Sequence, residues 1–379
     1  LHRMFFRDVY GHDELKHQLI DAVKSGRIPH AQLFCGPEGV GKLPLALAYA
    51  QYVSCENKGE NDSCGQCPSC KKYAMLAHPD LHFVFPIIQK KPAGNDEYCM
   101  EHLDGWRKMF ATSPYFNLDK WVEEEFSSVA TKQPIIYNCE GNELIRKLQM
   151  KACESEYKVV VIWHPELMGA ECSNRVLKSI EEPVGKTLFL LVSDKPDDIL
   201  PTIQSRTQRV VMHALPEKVL ADAIRTKNSN ADDNQIQYAA RLSKGSIIAA
   251  FELLDDGANT FLDTFIRLMR KAYVSDLDDL INLSNDLAKL SRKKQISFLQ
   301  YCQHMIRENF ILNVGNTSLN YMTNDENAFS SKFARFINEK NVWQLVEELS
   351  KAEFHIERNG MSKIIFYDLA LKVMALLKK

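Results

Sequence analysis

"HAQLFCGPEGVGKLPLALAYAQYVSC", His30–Cys55, is the stretch on which the fold turns. Its first part, "HAQLFCG" (30–36), is a short apolar run closed by glycine and predicts a strand. Its last part, "LPLALAYAQYVSC" (43–55), predicts a helix. Between them lies "GPEGVGK", which fits G-x-x-x-x-G-K. Gly36, Gly39 and Gly41 let backbone N–H groups close around an anion, and Lys42 would reach the β- and γ-phosphates. A strand on one side and a helix on the other is the setting a phosphate loop requires. The plainer reading is a glycine-rich turn carrying an exposed lysine. Leu43 stands where Ser or Thr would hold Mg²⁺, and it offers no oxygen to a metal. Without that metal, triphosphate charge is poorly neutralised and hydrolysis suffers.

Outward from the loop, strands and helices alternate. Apolar residues at helical spacing mark 13–26, 142–155 and 170–183, the last stopped by Pro183. Apolar runs at 80–87, 158–163, 187–193 and 208–213 predict further strands, with a short helix at 199–206. The pattern is α/β: a mostly parallel sheet with helices on both faces. From about residue 214 the strands vanish. Residues 214–257 form one helical segment and 258–379 a second, so the α/β domain is expected over 1–213. Residues 88–132 show no periodicity beyond an amphipathic piece near 119–126 and read as an insertion rather than core. In the last segment Ile296, Leu299, Met305, Ile306 and Phe310 form a stripe that suits either subunit packing or the segment's own core.

A working nucleotide site also needs an acidic pair at the end of a neighbouring strand. The strand "KVVVIW" is followed by "HPE", so Trp163 and His164 stand where Asp and Glu would be expected. Glu166, two residues on, reads as a solvated loop residue. Both defects fall at the metal end of the site.

The 379 residues are 45% hydrophobic and 25% charged, ordinary for a globular chain, with a net charge of −2. That balance gives no whole-chain attraction to nucleic acid, although a local basic face remains open. No apolar run approaches the roughly 20 residues a membrane span needs. The start, "LHRMFFRDVYGHDE", lacks a long apolar core before a small-residue cleavage site, so no signal peptide is expected and the expected compartment is the cytoplasm. Met4 reads as the native start, with Leu1–Arg3 as a remnant before it.

Four of the ten cysteines are packed into "CENKGENDSCGQCPSC". Cys55, Cys64, Cys67 and Cys70 follow C-x8-C-x2-C-x2-C, in which short turns aim thiolates at one ion. Four thiolates suit tetrahedral Zn²⁺, and a set with no open position is structural rather than catalytic. The other readings are four free or oxidised thiols, or a nucleic-acid-binding zinc module with only Lys71 and Lys72 as local basic support.

Arg206, in "PTIQSRT" (201–207), follows the short helix after the last interior strands. Residue physics alone leaves it either a structural ion-pairing residue or a finger reaching a neighbouring subunit's nucleotide.

Taken in order, "RIPHAQLFCGPEGVGK", the four-cysteine spacing, "HPD", "KVVVI", "SNRVLKSIEEP" and "LPTIQSRTQRV" resemble the clamp-loader ATPase family of bacterial DNA polymerase III. The resemblance covers about 4–257 apart from 88–132, and continues more weakly into "HIERNGMSKIIFYDLAL". It implies an AAA+ P-loop module with a zinc insertion (55–70), a helical lid and an all-α collar domain. Two kinds of subunit share that layout: gamma/tau motors, and a delta-prime kind with a degenerate nucleotide site. Leu43, Trp163 with His164, and Ile248, which stands where a motor carries its sensor-2 Arg, all match the delta-prime kind. The resemblance then implies weak or absent ATP binding at Gly36, Gly39, Gly41 and Lys42. It makes Arg206, in "SRT" where the family has Ser-Arg-Cys, a finger acting in trans on a motor subunit. The implied partners are gamma/tau and delta in a hetero-pentamer, and through that assembly the sliding clamp and primer–template DNA. An active gamma/tau-type ATPase and a zinc-containing nucleic-acid-binding protein are the alternatives.

Overall fold

A computed structural model describes residues 4–90, 96–127, 132–228, 232–255, 259–315 and 322–378. Five parallel strands form one sheet: β1 (Ala31–Cys35), β2 (Leu81–Val84), β3 (Lys158–Trp163), β4 (Thr187–Ser193) and β5 (Gln208–Val211). Their spatial order is β2-β3-β4-β1-β5. The register sets Cys35 of β1 beside Ser193 of β4, and Trp163 of β3 beside Val192. The chain therefore leaves β1 for the far edge and works back to it, so the strand order reverses beside β1. Ligands of open α/β sheets bind outside the strands' carboxyl ends at such a reversal.

Strands β1, β3 and β4 are buried along their whole length, as expected for a sheet covered on both faces. The period of two divides them cleanly. Phe34, Val159, Val161, Trp163, Leu188 and Leu190 enter one core, and Leu33, Val160, Ile162, Phe189 and Leu191 enter the other. Helices α1 (Asp13–Lys24), α2 (Lys42–Ser54) and α3 (Pro68–Ala74) precede β2. Every residue of α2 is buried, because other segments cover its outer side.

Between β2 and β3 lie α4 (Leu103–Thr112), α5 (Leu118–Phe126) and α6 (Asn138–Gln149). The reading of 88–132 as an insertion outside the core is corrected here. Trp106 and Trp121 are fully buried and join the same core as α2. Trp106 stacks on Phe85 with ring centroids 4.3 Å apart and meets Trp121 edge-on at 5.3 Å. Aromatics spaced irregularly in sequence make no helical stripe, yet they converge once two short helices fold back on the sheet.

Helix α6 ends before the run expected to 155. Asp80 accepts backbone N–H bonds from Cys153, Glu154 and Ser155 (2.6, 2.8 and 2.8 Å), and Lys158 Nζ donates to the carbonyl of Met150 (2.9 Å). These bonds hold 150–157 as a loop.

After β3 come α7 (Ala170–Glu181), α8 (Pro201–Gln204), α9 (Glu217–Lys227), α10 (Asp233–Leu242) and α11 (Ile247–Asp255). The chain forms two compact units. One comprises residues up to 230 together with 239–252, and the other comprises 231–238 with 253 onward. The second contains α12 (Asn259–Val274), α13 (Leu277–Ala288), α14 (Arg292–Val314), α15 (Asn324–Phe333), α16 (Val342–Glu357) and α17 (Ser362–Leu376). Helix α14 packs on α16, and α17 packs on α12, α13 and α16. Leu299, Met305 and Ile306 of the α14 stripe lie in this bundle's own core.

No helix of the described residues is long and apolar enough to cross a membrane.

Candidate functional site

The loop Gly36–Lys42 joins β1 to α2 at the carboxyl edge of the sheet. Gly41 has φ +93°, and a side chain there would begin 3.1 Å from the Tyr115 ring. Gly39, at φ +79°, is pressed against Ser246, and its carbonyl accepts the N–H of Ile247 at 2.9 Å. Ile248 lies at the same contact, its backbone nitrogen 3.3 Å from where a Gly39 Cβ would stand. The residue read as the sensor-2 replacement is thus beside the loop.

Lys42 is 5% exposed and fully engaged by its own chain. Its ammonium donates to the Gly36 carbonyl at 2.8 Å and to the Pro37 carbonyl, and pairs with Asp194 Oδ1 at 2.6 Å. An ammonium has three N–H donors, and these three partners use them.

Asp194 directly follows β4. It opens a polar network: His164 Nε2 lies 3.8 Å from Asp194 Oδ2, and His164 Nδ1 is 2.9 Å from Glu166 Oε1. Ser193 Oγ donates to Glu166 Oε2 at 2.7 Å. The reading of Glu166 as solvated is corrected: its side chain is 5% exposed. Burial acts to raise its carboxyl, but His164 and Ser193 outweigh that and hold it below the usual glutamate range. His164 reaches this position through a left-handed backbone, φ 55°.

Trp163 meets that network only through its ring, edge-on to His164 at 4.3 Å between centroids. It faces the aromatic core, 5.0 Å from Trp106 and 5.5 Å from Phe116 between ring centroids. At this strand end, where the sequence reading expected an acidic pair, an indole anchors the segment of α4 and α5. The same segment closes the loop from outside. Asn117 Nδ2 donates to Glu38 Oε1 at 2.7 Å, and the Tyr10 N–H donates to Tyr115 Oη at 3.0 Å. Burial pushes the Tyr115 phenol well above its usual value.

The four clustered cysteines converge. Their sulfurs all lie within 4.8 Å of one another. Tetrahedral bonds of about 2.3 Å would set thiolates roughly 3.8 Å apart, so a modest contraction admits one metal ion. Desolvation opposes it, yet the backbone N–H groups of Gln66 and Cys67 draw the Cys64 thiol down to about 6. The cluster also ties down the chain start. Asp62 accepts the N–H groups of Phe6 (3.1 Å) and Arg7 (3.2 Å), and Phe5 lies against Gly65.

Arg206 sits apart from the loop, just beyond α8, 42% exposed at its side chain. Its Nε pairs with Glu181 Oε1 at 2.6 Å, and Nη1 donates to Thr202 O (3.1 Å) and Ser205 Oγ (3.3 Å). Thr207 Oγ1 donates back to the carbonyls of Ile203 and Gln204. "SRT" therefore finishes a short helix and presents one guanidinium.

Sequence reasoning missed Asp194, Tyr115, Asn117 and Glu181. The first had a visible signal, a carboxylate at the end of "TLFLLVS". Tyr115 and Asn117 reach the loop only through tertiary folding.

Residues 11–216 match the family model described as DNA polymerase III, delta subunit. Among curated proteins, the chain is 29% identical over 206 residues to DNA polymerase III subunit delta' of Bacillus subtilis, covering 54% of this chain and 49% of the relative. It is 28% identical over 177 residues to the delta' subunit of Pseudomonas aeruginosa, covering 47% of this chain and 41% of that one. The tau subunit of Bacillus subtilis is 23% identical over 355 residues, 93% of this chain and 47% of the relative. The chain spans about half the length of the curated relatives it matches.

Proposed function

Because the chain belongs to the DNA polymerase III delta-subunit family, we propose that it is a non-hydrolysing subunit of a clamp loader, of the delta-prime kind. It would stand beside gamma/tau and delta subunits in a hetero-pentamer that places a sliding clamp on primed DNA. The observation that carries this reading is the state of Lys42. The group that should meet the β- and γ-phosphates is spent on Gly36, Pro37 and Asp194. Binding phosphate there would break a buried ion pair and leave Asp194 facing an anion. Leu43 and Trp163 supply no metal ligand, and Tyr115 and Asn117 cover the loop. ATP binding at Gly36, Gly39, Gly41 and Lys42 is weak or absent in this account.

The chemistry the chain contributes is then Arg206, exposed and offered to the nucleotide of a neighbouring motor subunit, where it stabilises charge in the transition state. Cys55, Cys64, Cys67 and Cys70 hold a structural Zn²⁺, and the bundle from 258 to 379 serves as the collar.

Titration of the isolated chain with a fluorescent ATP analogue and Mg²⁺, alongside a phosphate-release assay, tests the first half of this reading. No saturable binding and no turnover are expected. Turnover abolished by Lys42→Ala would overturn it in favour of a gamma/tau-type ATPase.

A further inference from the structure

We propose that Glu181 is a positioning residue for Arg206, fixing the guanidinium so that its unspent donors face a neighbour's nucleotide; this rests on the trans role assigned to Arg206 above. Glu181 is the last residue of α7. A carboxylate there opposes the negative end of the helix macrodipole, so the position is unfavourable unless a cation answers it. Arg206 does so, with Nε 2.6 Å from Glu181 Oε1.

The pair completes a three-point hold. Nη1 is used on Thr202 O and Ser205 Oγ, both within the turn that ends α8. Those bonds alone let the side chain swing about its stem. Glu181 comes from a different helix and removes that freedom. Arg206 Nη2 makes no hydrogen bond among the described residues. A guanidinium has five N–H donors in a planar fork, so both Nη2 hydrogens remain for phosphate oxygens.

The two side chains are 42% and 37% exposed. Exposed pairs of this kind contribute little to stability. Removing Glu181 should therefore leave folding intact and act on orientation, where a shift of about 1 Å can cost on the order of 100-fold in rate.

The test is DNA-stimulated ATP hydrolysis by the complete complex reconstituted with gamma/tau and delta subunits, using wild-type chain, Glu181→Ala, Glu181→Gln, Arg206→Ala and the double variant. Glu181→Ala should lower hydrolysis at the motor site facing this chain roughly 10- to 100-fold, seen as loss of most of that site's share of turnover, with KM for ATP unchanged. Glu181→Gln, which keeps the size of the side chain but not the charge that pairs with Nε, should lose nearly as much as Glu181→Ala. The double variant should be no slower than Arg206→Ala alone, as expected for residues acting as one unit. A slow Arg206→Ala beside a wild-type or faster Glu181→Ala overturns the positioning role and leaves the finger standing, as does a double variant slower than Arg206→Ala. An unchanged Arg206→Ala rejects the finger itself.

Discussion

The Nζ of Lys42 lies 2.6 Å from Asp194 Oδ1, joining the phosphate-type loop after β1 to the end of β4. The lysine side chain is 4% exposed and the aspartate 21%. Removing one partner of such a pair leaves a desolvated charge uncompensated. Asp194→Ala should cost about 2–4 kcal/mol, read by urea unfolding followed through the fluorescence of Trp106, Trp121 and Trp163. Adding Lys42→Met should restore most of the loss, because no charge is then left buried. An unchanged midpoint in Asp194→Ala would show that the pair does not form.

The cover over the loop makes a graded prediction. Tyr115→Phe deletes the acceptor of the Tyr10 N–H and should cost about 1 kcal/mol. Tyr115→Ala also opens space above Gly41 and should cost about 3–5 kcal/mol. Faster hydrogen exchange at the Tyr10 amide in both variants would locate the effect. Equal stabilities of the two variants would contradict the packing described.

Metal removal should act first on the chain start. Elemental analysis should find one zinc per chain, and Cys67→Ser should lose it. Chelation should speed exchange of the Phe6 and Arg7 amides, which bond to Asp62 between the first two cysteines. The interior strands should keep their protection, since the cysteines form a cluster separate from the sheet's two cores.

Asp80 gives a pH dependence. Burial raises its carboxyl, but three backbone N–H donors and His78 more than offset this and place it below the ordinary aspartate value. The native state thus binds its proton less readily than the unfolded chain does. Its stabilisation is in place above about pH 4 and is lost as pH falls through the lowered native value. Asp80→Ala should destabilise at neutral pH by about 2–4 kcal/mol and show a shallower acid limb than wild type. Parallel acid limbs would contradict the assignment.

Much of the framework was legible because it obeys local rules. The strand–loop–helix unit at 30–55 and the runs 158–163 and 187–193 carry their periodicity and turn residues in the open. The four cysteines converge as their spacing implies. Residues 88–132 were misread because Trp106, Phe116 and Trp121 gain meaning only against Phe85 and Trp163, which are distant in sequence. Trp163 read only as the absence of a carboxylate, and its packing on Trp106 and Phe116 was not visible in the sequence. Glu166 looked solvated because a loop carboxylate usually is, and nothing local announces partners such as His164 and Ser193. The motif around Arg206 is local, whereas its pairing with Glu181, 25 residues earlier, is visible only in three dimensions.

The most direct test of the central claim is the DNA-stimulated ATPase rate of the clamp-loader complex reconstituted with Arg206→Ala in place of the wild-type chain. An intact complex is expected, with hydrolysis reduced on the order of 1,000-fold at the motor site facing this chain, seen as loss of that site's share of turnover. Hydrolysis at that site equal to wild type, in a complex of the same composition, would contradict it.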